Sequence, residues 1–205
     1  MNRGLRIGAL RVAGLLCLVL GLSGCALRPT VPGSSVRWSE RQADLQSLPG
    51  WELRGRIAVK SGNAGGQGRL RWQQAGDSAR LRLSGPLGSG SMEIRWDSGQ
   101  VVLTDRKGEV TAAYSGPDAV EQFLDQQLGW HFPAVHLRYW VLGIPDPHSR
   151  ARQIFDPDGW LMQIDQDGWQ VGYSEFRQYS GQWIPHRVSI EDEHARVRLV
   201  IDDWK

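Results

Sequence analysis

Apolar and charged residues alternate along most of the chain beyond residue 50. Trp51, Leu53, Ile57 and Val59 are interleaved with Glu52, Arg54, Arg56 and Lys60, the period of a strand with one dry and one wet face. The pattern returns at Gly68–Gln74, Ala79–Leu83, Met92–Trp96 and Gln100–Thr104, and more weakly at Glu109–Tyr114. It resumes at Trp160–Ile164, Trp169–Tyr173, Ile184–Ile190 and Val197–Ile201. Turn formers separate these runs: Asp97-Ser98-Gly99, Asp165–Gly168 and Ser180-Gly181. Ser61–Gly68 is rich in glycine but lacks the Lys-Ser/Thr ending of a phosphate loop, so it reads as a hairpin connection. About ten or eleven short strands with turns between them predict a sheet that curls into a barrel or sandwich.

The period changes to that of a helix in three places. Trp38, Leu45 and Leu48 share one face of a short leading helix, capped by Ser34 or Ser35 and ended by Pro49-Gly50. Residues 117–128 place Pro117 at a helix start, Asp118 and Glu121 in the first turn, and Val120, Phe123, Leu124 and Leu128 on one stripe. Residues 133–142 carry Leu137, Trp140 and Val141, and Gly143 and Pro145 stop them. Two amphipathic helices inside a strand series must bury their faces, and covering one mouth or face of the sheet is the economical way.

Leu81–Trp96 frames a small loop, Ser84–Ser91, between two alternating arms. Its one large apolar side chain is Leu87, flanked by Pro86 and Gly88. Pro86 fixes its own φ, and the neighbouring glycines tolerate unusual backbone angles. Leu87 has two readings: it folds back onto the core, or it is presented outward to a membrane or a partner.

The first residues bear on that choice. Arg3, Arg6 and Arg11 precede an apolar stretch, Val12–Leu22, too short to span a bilayer comfortably. It ends in Leu22-Ser23-Gly24-Cys25, which resembles a bacterial lipobox: cleavage before Cys25 leaves an N-terminal cysteine that carries covalent diacylglycerol and an N-acyl chain. The chain divides accordingly into a signal peptide (1–24), a lipid-anchored tether with a short helix (25–49), and a barrel domain (50–205). Cys17 leaves with the signal, so no internal disulfide remains possible. Signal removal takes three of the 24 basic residues and none of the 22 acidic ones. The near-neutral domain left behind lacks the basic excess that nucleic acid requires.

Catalytic patterns are missing. His131, His136, His148, His186 and His194 show no metal-ligand spacing, and there is no Gly-x-Ser-x-Gly elbow. The neighbouring carboxylates Asp202-Asp203 point to opposite faces of a strand. The chain reads as a binding protein, with neither enzymatic activity nor a cofactor. Tryptophan is abundant at ten residues, and Trp51, Trp72, Trp96, Trp160 and Trp169 fall on the inward parity of their strands. They fill a heavy core or line a cavity, since a barrel of this strand number is wide enough to keep one. A cavity beneath two helices on a lipid-anchored chain suggests a carrier of lipid or acyl chains.

Leu137-Arg138-Tyr139-Trp140-Val141-Leu142-Gly143-Ile144-Pro145 resembles a signature of the LolB family of outer-membrane lipoprotein receptors. Leu53-Arg54-Gly55, Trp72-Gln73-Gln74, Pro86-Leu87-Gly88-Ser89 and Asp203-Trp204 match in order. Ala26 follows Cys25 where an inner-membrane retention signal would place aspartate. The glycine-rich 61–68 stretch and the Trp160–Tyr173 hairpin have no counterpart in this set. The resemblance implies a mainly β fold: an unclosed, strongly curved antiparallel β-barrel with a helical lid enclosing an apolar cavity. It also implies a monomer, anchored to the inner leaflet of the outer membrane and facing the periplasm. Such a chain accepts acylated lipoproteins from a LolA-like periplasmic carrier. The inward parity places Leu53, Ile57, Leu70, Trp72, Leu81, Leu83, Ile94 and Trp96 around the acyl-chain cavity, with Leu137 and Trp140 facing them from the lid. The family likeness implies that the loop carrying Leu87 protrudes and acts in membrane insertion. Two other functions fit the residues alone: a lipocalin-like carrier of a small hydrophobic ligand, and a structural envelope lipoprotein with a solid core.

Overall fold

The computed structural model describes residues 35–85, 90–97, 99–128 and 132–205, all within the compact unit Pro32–Lys205. A leading helix, α1 (Ser35–Gln46), precedes six strands: β1 (Gly50–Ser61), β2 (Ala64–Ala75), β3 (Ser78–Ser84), β4 (Met92–Trp96), β5 (Gln100–Thr104) and β6 (Val110–Ser115). Two helices follow, α2 (Ala119–Leu128) and α3 (Ala134–Trp140). Five strands complete the chain: β7 (Ala151–Phe155), β8 (Leu161–Gln166), β9 (Trp169–Tyr179), β10 (Gln182–Glu191) and β11 (Ala195–Trp204).

The strands form one sheet in the order β6-β5-β4-β3-β2-β1-β11-β10-β9-β8-β7. Each described pairing is antiparallel. The sheet consists of two meanders joined where the first strand pairs with the last. β6 and β7 are its two edges, so the barrel is unclosed, and the chain passes from one edge to the other through α2 and α3. The helices bury Ala119, Phe123, Leu124, Ala134 and Trp140 in the same core as the sheet, and α2 packs on β5 and β6. Gly143 ends α3 in a left-handed conformation (φ +70°), and the Ile144 N–H donates back to the Tyr139 carbonyl. This is a glycine-terminated helix end, at the position where the sequence pattern stops.

Alternation correctly identifies the dry face. Trp51, Leu53, Leu70, Trp72, Leu81 and Ile94 are buried on one side of β1–β4, and Val197, Leu199 and Ile201 on the same side of β11. Gly55 sits at a register shift between β1 and β11. A Cβ there would lie 2.2 Å from the Val200 carbonyl oxygen, so the two backbones approach closely only because residue 55 has no side chain.

Three expectations need correction. The glycine-rich stretch is not a long connection: the turn consists of Gly62 and Asn63, and Ala64–Gly68 already belongs to β2, paired with β1 from Ser61 down to Ile57. Glycines carry no side chains to alternate, so the strand is invisible to periodicity. β7 carries no pattern that predicts a strand, because Ala151, Gln153 and Ile154 are all half-buried and show no clean alternation. In β8 the buried residues are Leu161, Ile164 and Gln166 while Met162 is exposed; a register shift at Ile154/Phe155 accompanies this irregular parity.

Candidate functional site: an apolar cleft beside the β1–β2 turn

Burial on the inner face of β1 falls toward the turn it shares with β2. Trp51, Leu53 and Gly55 are buried, whereas Ile57, Val59 and Ser61 are only half-buried. The cause lies on the neighbouring strand. Ile57, Val59 and Ser61 pair with Gly68, Gly66 and Ala64, and directly paired residues share a face. Three successive inward positions of β2 therefore supply at most a methyl group. The space they leave is a cleft of about 420 Å³ bounded by β1, β2, β3 and β4, within the usual range for a small-molecule site. Ile57, Val59, Leu83 and Met92 provide its apolar walls, and Met92 is 42% exposed. Among the described residues, none that lines it is ionisable. Such a cleft can hold a flexible apolar group by removing it from water, at roughly 0.8 kcal/mol per methylene.

The glycines differ in what they allow. A Cβ on Gly68 would meet the Ser84 carbonyl at 2.6 Å, and one on Gly65 the Val59 carbonyl at 2.8 Å. A Cβ on Gly66 meets nothing within 4 Å. Gly66 thus faces open space, and a larger side chain there would enter the cleft without displacing backbone.

Of the residues assigned to an acyl-chain cavity, Ile57 and Leu83 line this cleft. Leu53, Leu70, Trp72, Leu81, Ile94 and Trp140 are buried in the packed core below it. Leu137 is half-buried against that core. Trp96 borders a different hollow, about 530 Å³, at the far end of β2–β5. That hollow is larger, but Gln73, Arg80, Arg95, Asp97 and Gln100 line it; burying these charges against an alkyl chain is unfavourable, so it does not suit an apolar guest. The cleft also adjoins Val59, Ala64, Gly66, Gly68 and Met92, none of which was singled out for it from the sequence. Cys25 and the loop residues Pro86, Leu87 and Gly88 lie outside the described residues. Gly85 and Gly90, which bracket the loop, line the cleft, so the loop is rooted at the cleft's rim.

The helical side is held by polar contacts that periodicity does not reveal. Arg41 on α1 is buried, 6% exposed. Its guanidinium donates to the carbonyls of Leu142 (2.8 Å), Gly143 (3.2 Å) and Trp183 (3.2 Å from Nε), and it stacks 4.8 Å from the Trp38 ring. One side chain thereby ties α1, the end of α3 and β10 together. Burial lowers its pKa to about 10, although three carbonyls keep the cation hydrogen-bonded. Trp140 donates from Nε1 to the Gln166 Oε1 (2.8 Å), and Gln166 Nε2 donates to the Asp146 carbonyl (2.8 Å). His136 on α3 spans Asp146 (2.7 Å) and Asp167 (3.1 Å). Burial pushes the Asp146 carboxyl upward, but the His148 N–H and the two imidazoles outweigh it and hold the pKa below the ordinary value.

Comparison with known proteins agrees with this architecture. A sequence model of the family described as outer membrane lipoprotein LolB matches residues 49–204. The outer-membrane lipoprotein LolB of Pseudomonas syringae pv. syringae is 36% identical over 197 residues, spanning 95% of this chain and 94% of that protein. The protein of the same name from Pseudomonas fluorescens is 36% identical over 196 residues, spanning 94% and 93%. Among solved structures, a LolA superfamily protein from Nitrosomonas europaea superposes with a TM-score of 0.51 at 11% identity, over 80% of this chain and 90% of that one. That likeness concerns the fold alone.

Proposed function

Because the chain belongs to the family of the outer-membrane lipoprotein LolB, and so acts as an outer-membrane lipoprotein receptor, we propose that the cleft beside the β1–β2 turn receives the acyl chains of lipoproteins handed over by a LolA-like carrier. The observation that carries this reading is the cleft itself: about 420 Å³, apolar, open, and among the described residues without an ionisable group. Wetting one long acyl chain costs on the order of 10 kcal/mol at ~0.8 kcal/mol per methylene. Transfer from carrier to receptor therefore passes from one apolar cavity to another, and its direction follows from the difference in affinity, about 1.4 kcal/mol for each tenfold step. Covalent lipid on Cys25 would keep the receptor at the periplasmic face of the outer membrane, where Leu87 would meet the bilayer. The likeness to LolB proteins along nearly the whole chain favours this reading over a lipocalin-like carrier of a small ligand.

The test is transfer of an acylated lipoprotein from purified carrier to this chain, comparing the wild type with Gly66→Trp. The indole enters open space, so melting temperature should stay within about 3 °C of the wild type. Acceptance should fall at least tenfold, because the guest's volume is occupied. Undiminished acceptance by a folded Gly66→Trp protein would mean that acyl chains bind elsewhere.

A further inference from the structure

The wet face of β1–β4 and β11 carries an unusual arrangement of arginine. Arg56 pairs with Arg69, Arg54 with Arg71, Arg71 with Arg82, and Arg80 with Arg95, each directly across a strand boundary. Like charges so placed repel. In the half distant from the β1–β2 turn, carboxylates bridge them: Glu52 contacts Arg54 and Arg71, and Glu93 contacts Arg80, Arg82 and Arg95. Nearer the turn the compensation runs out. Arg56 has Asp202 at 2.9 Å, but among the described residues Arg69 and Arg198 have no carboxylate partner. Arg198 pairs with Ala58, one step closer to the turn than the Arg56–Arg69 pair. Between Arg56, Arg69 and Arg198 lies a hollow of about 380 Å³.

Its position adds a second argument. Ile57, Gly68 and Gly85 border both this outer hollow and the inner apolar cleft. A cationic hollow and an alkyl-binding cleft are thus the two sides of one thin wall, at the root of the loop that carries Leu87. We propose that Arg56, Arg69 and Arg198 form a head-group site for an anionic phospholipid of the membrane surface. Planar guanidinium forks match phosphate oxygens, and long arginine side chains can carry their charge to a head-group layer. An acidic protein surface fits less well. Specific protein interfaces centre on aromatic or large aliphatic anchors, and the outward neighbours here are Ala58, Gln67 and Val200.

The proposal deepens the membrane-delivery reading, but its test uses neither carrier nor cargo, so either can fail while the other stands. The full chain in nonionic detergent is titrated calorimetrically with dihexanoyl phosphatidylglycerol, dihexanoyl phosphatidylcholine and inorganic phosphate. Phosphatidylglycerol should bind saturably and more weakly as salt rises. The double variant R69Q/R198Q should weaken it at least tenfold with melting temperature unchanged, and R80Q/R95Q should leave it within twofold. Equal binding of phosphatidylcholine, an equal affinity for inorganic phosphate, or an equal loss in R80Q/R95Q would overturn the head-group site. So would an R69Q/R198Q protein that keeps its lipid affinity.

Discussion

Two charged residues carry contacts that their sequence neighbourhoods do not suggest. Arg41 stands in a polar helix, SVRWSERQADLQ, where an arginine ordinarily faces solvent, yet it is buried beneath three carbonyls. Replacing it with methionine preserves apolar bulk but leaves the Leu142, Gly143 and Trp183 carbonyls without their donor. Each orphaned buried group costs about 1–3 kcal/mol. Even at the lower figure of about 1 kcal/mol for each carbonyl, Arg41→Met should lower the melting temperature by roughly 6–12 °C, at 2–4 °C per kcal/mol for a domain this size, as measured by calorimetry. Glu52 is the opposite case, a wet-face carboxylate surrounded by donors. Hydrogen bonding to Arg71 above all, then to Gln73 and Arg54, lowers its pKa from 4.5 to about 2. A carboxylate more acidic in the folded state than in the unfolded chain stabilises the fold above its unfolded pKa. That contribution is lost as pH falls from about 4.5 through 2. Melting temperature followed from pH 6 to pH 2 should therefore fall less steeply in Glu52→Gln than in the wild type; parallel curves would show that Glu52 contributes nothing to acid stability.

Strands announce themselves only where side chains alternate, and that determines what could be read in advance. β1, β3, β4 and β11 alternate cleanly, and their dry faces are where the pattern puts them. The first half of β2 consists of Ala64, Gly65, Gly66, Gln67 and Gly68, so it looks like a turn, although it supplies a full cleft wall. The same lack of side chains explains why the cavity residues were only partly legible. Inward parity finds every apolar residue facing the core, but a void forms where opposing side chains fail to meet, and this depends on register. Ile57 and Val59 border open space because Gly68 and Gly66 stand opposite them, while Leu53 faces Trp72 and Leu70 faces Leu83 across their strand boundaries. Gly55 tests the register itself. Gly55→Ala places a Cβ against the Val200 carbonyl and forces β1 and β11 apart at the pairing that joins the two meanders. It should destabilise the chain by about 2–4 kcal/mol, at the upper end for single substitutions, whereas Gly66→Ala, facing open space, should change stability by less than ~1 kcal/mol. Urea denaturation of both variants provides the comparison; equal losses would mean that the glycines are kept for chain flexibility and not for clearance.

On the proposed function, a receptor that delivers must both receive an acyl chain and let it leave, and that reading assigns the two tasks to different elements. The solid core of Trp51, Trp72, Trp140 and the helices fixes the sheet; the cleft lies at one end, and the residues bracketing the Leu87 loop stand at its rim. Leu87 at a head-group boundary would gain about 1–2 kcal/mol. That is too little to hold a protein at a membrane, a task lipid on Cys25 would fulfil, but enough to orient the cleft and loosen lipid packing beside it. Leu87→Glu should therefore leave melting temperature and receipt from the carrier near wild-type levels while slowing release into liposomes. Gly66→Trp should show the converse, blocked receipt, with release untestable for want of cargo. A leucine packed in the core would respond differently, since a buried glutamate would unfold the domain. Melting temperature, receipt and release measured on the same Leu87→Glu protein thus yield three distinguishable results. Lost stability would place Leu87 in the core, normal behaviour in all three would make the loop a simple connection, and a defect confined to release would make Leu87 the residue that opens the bilayer to the cargo.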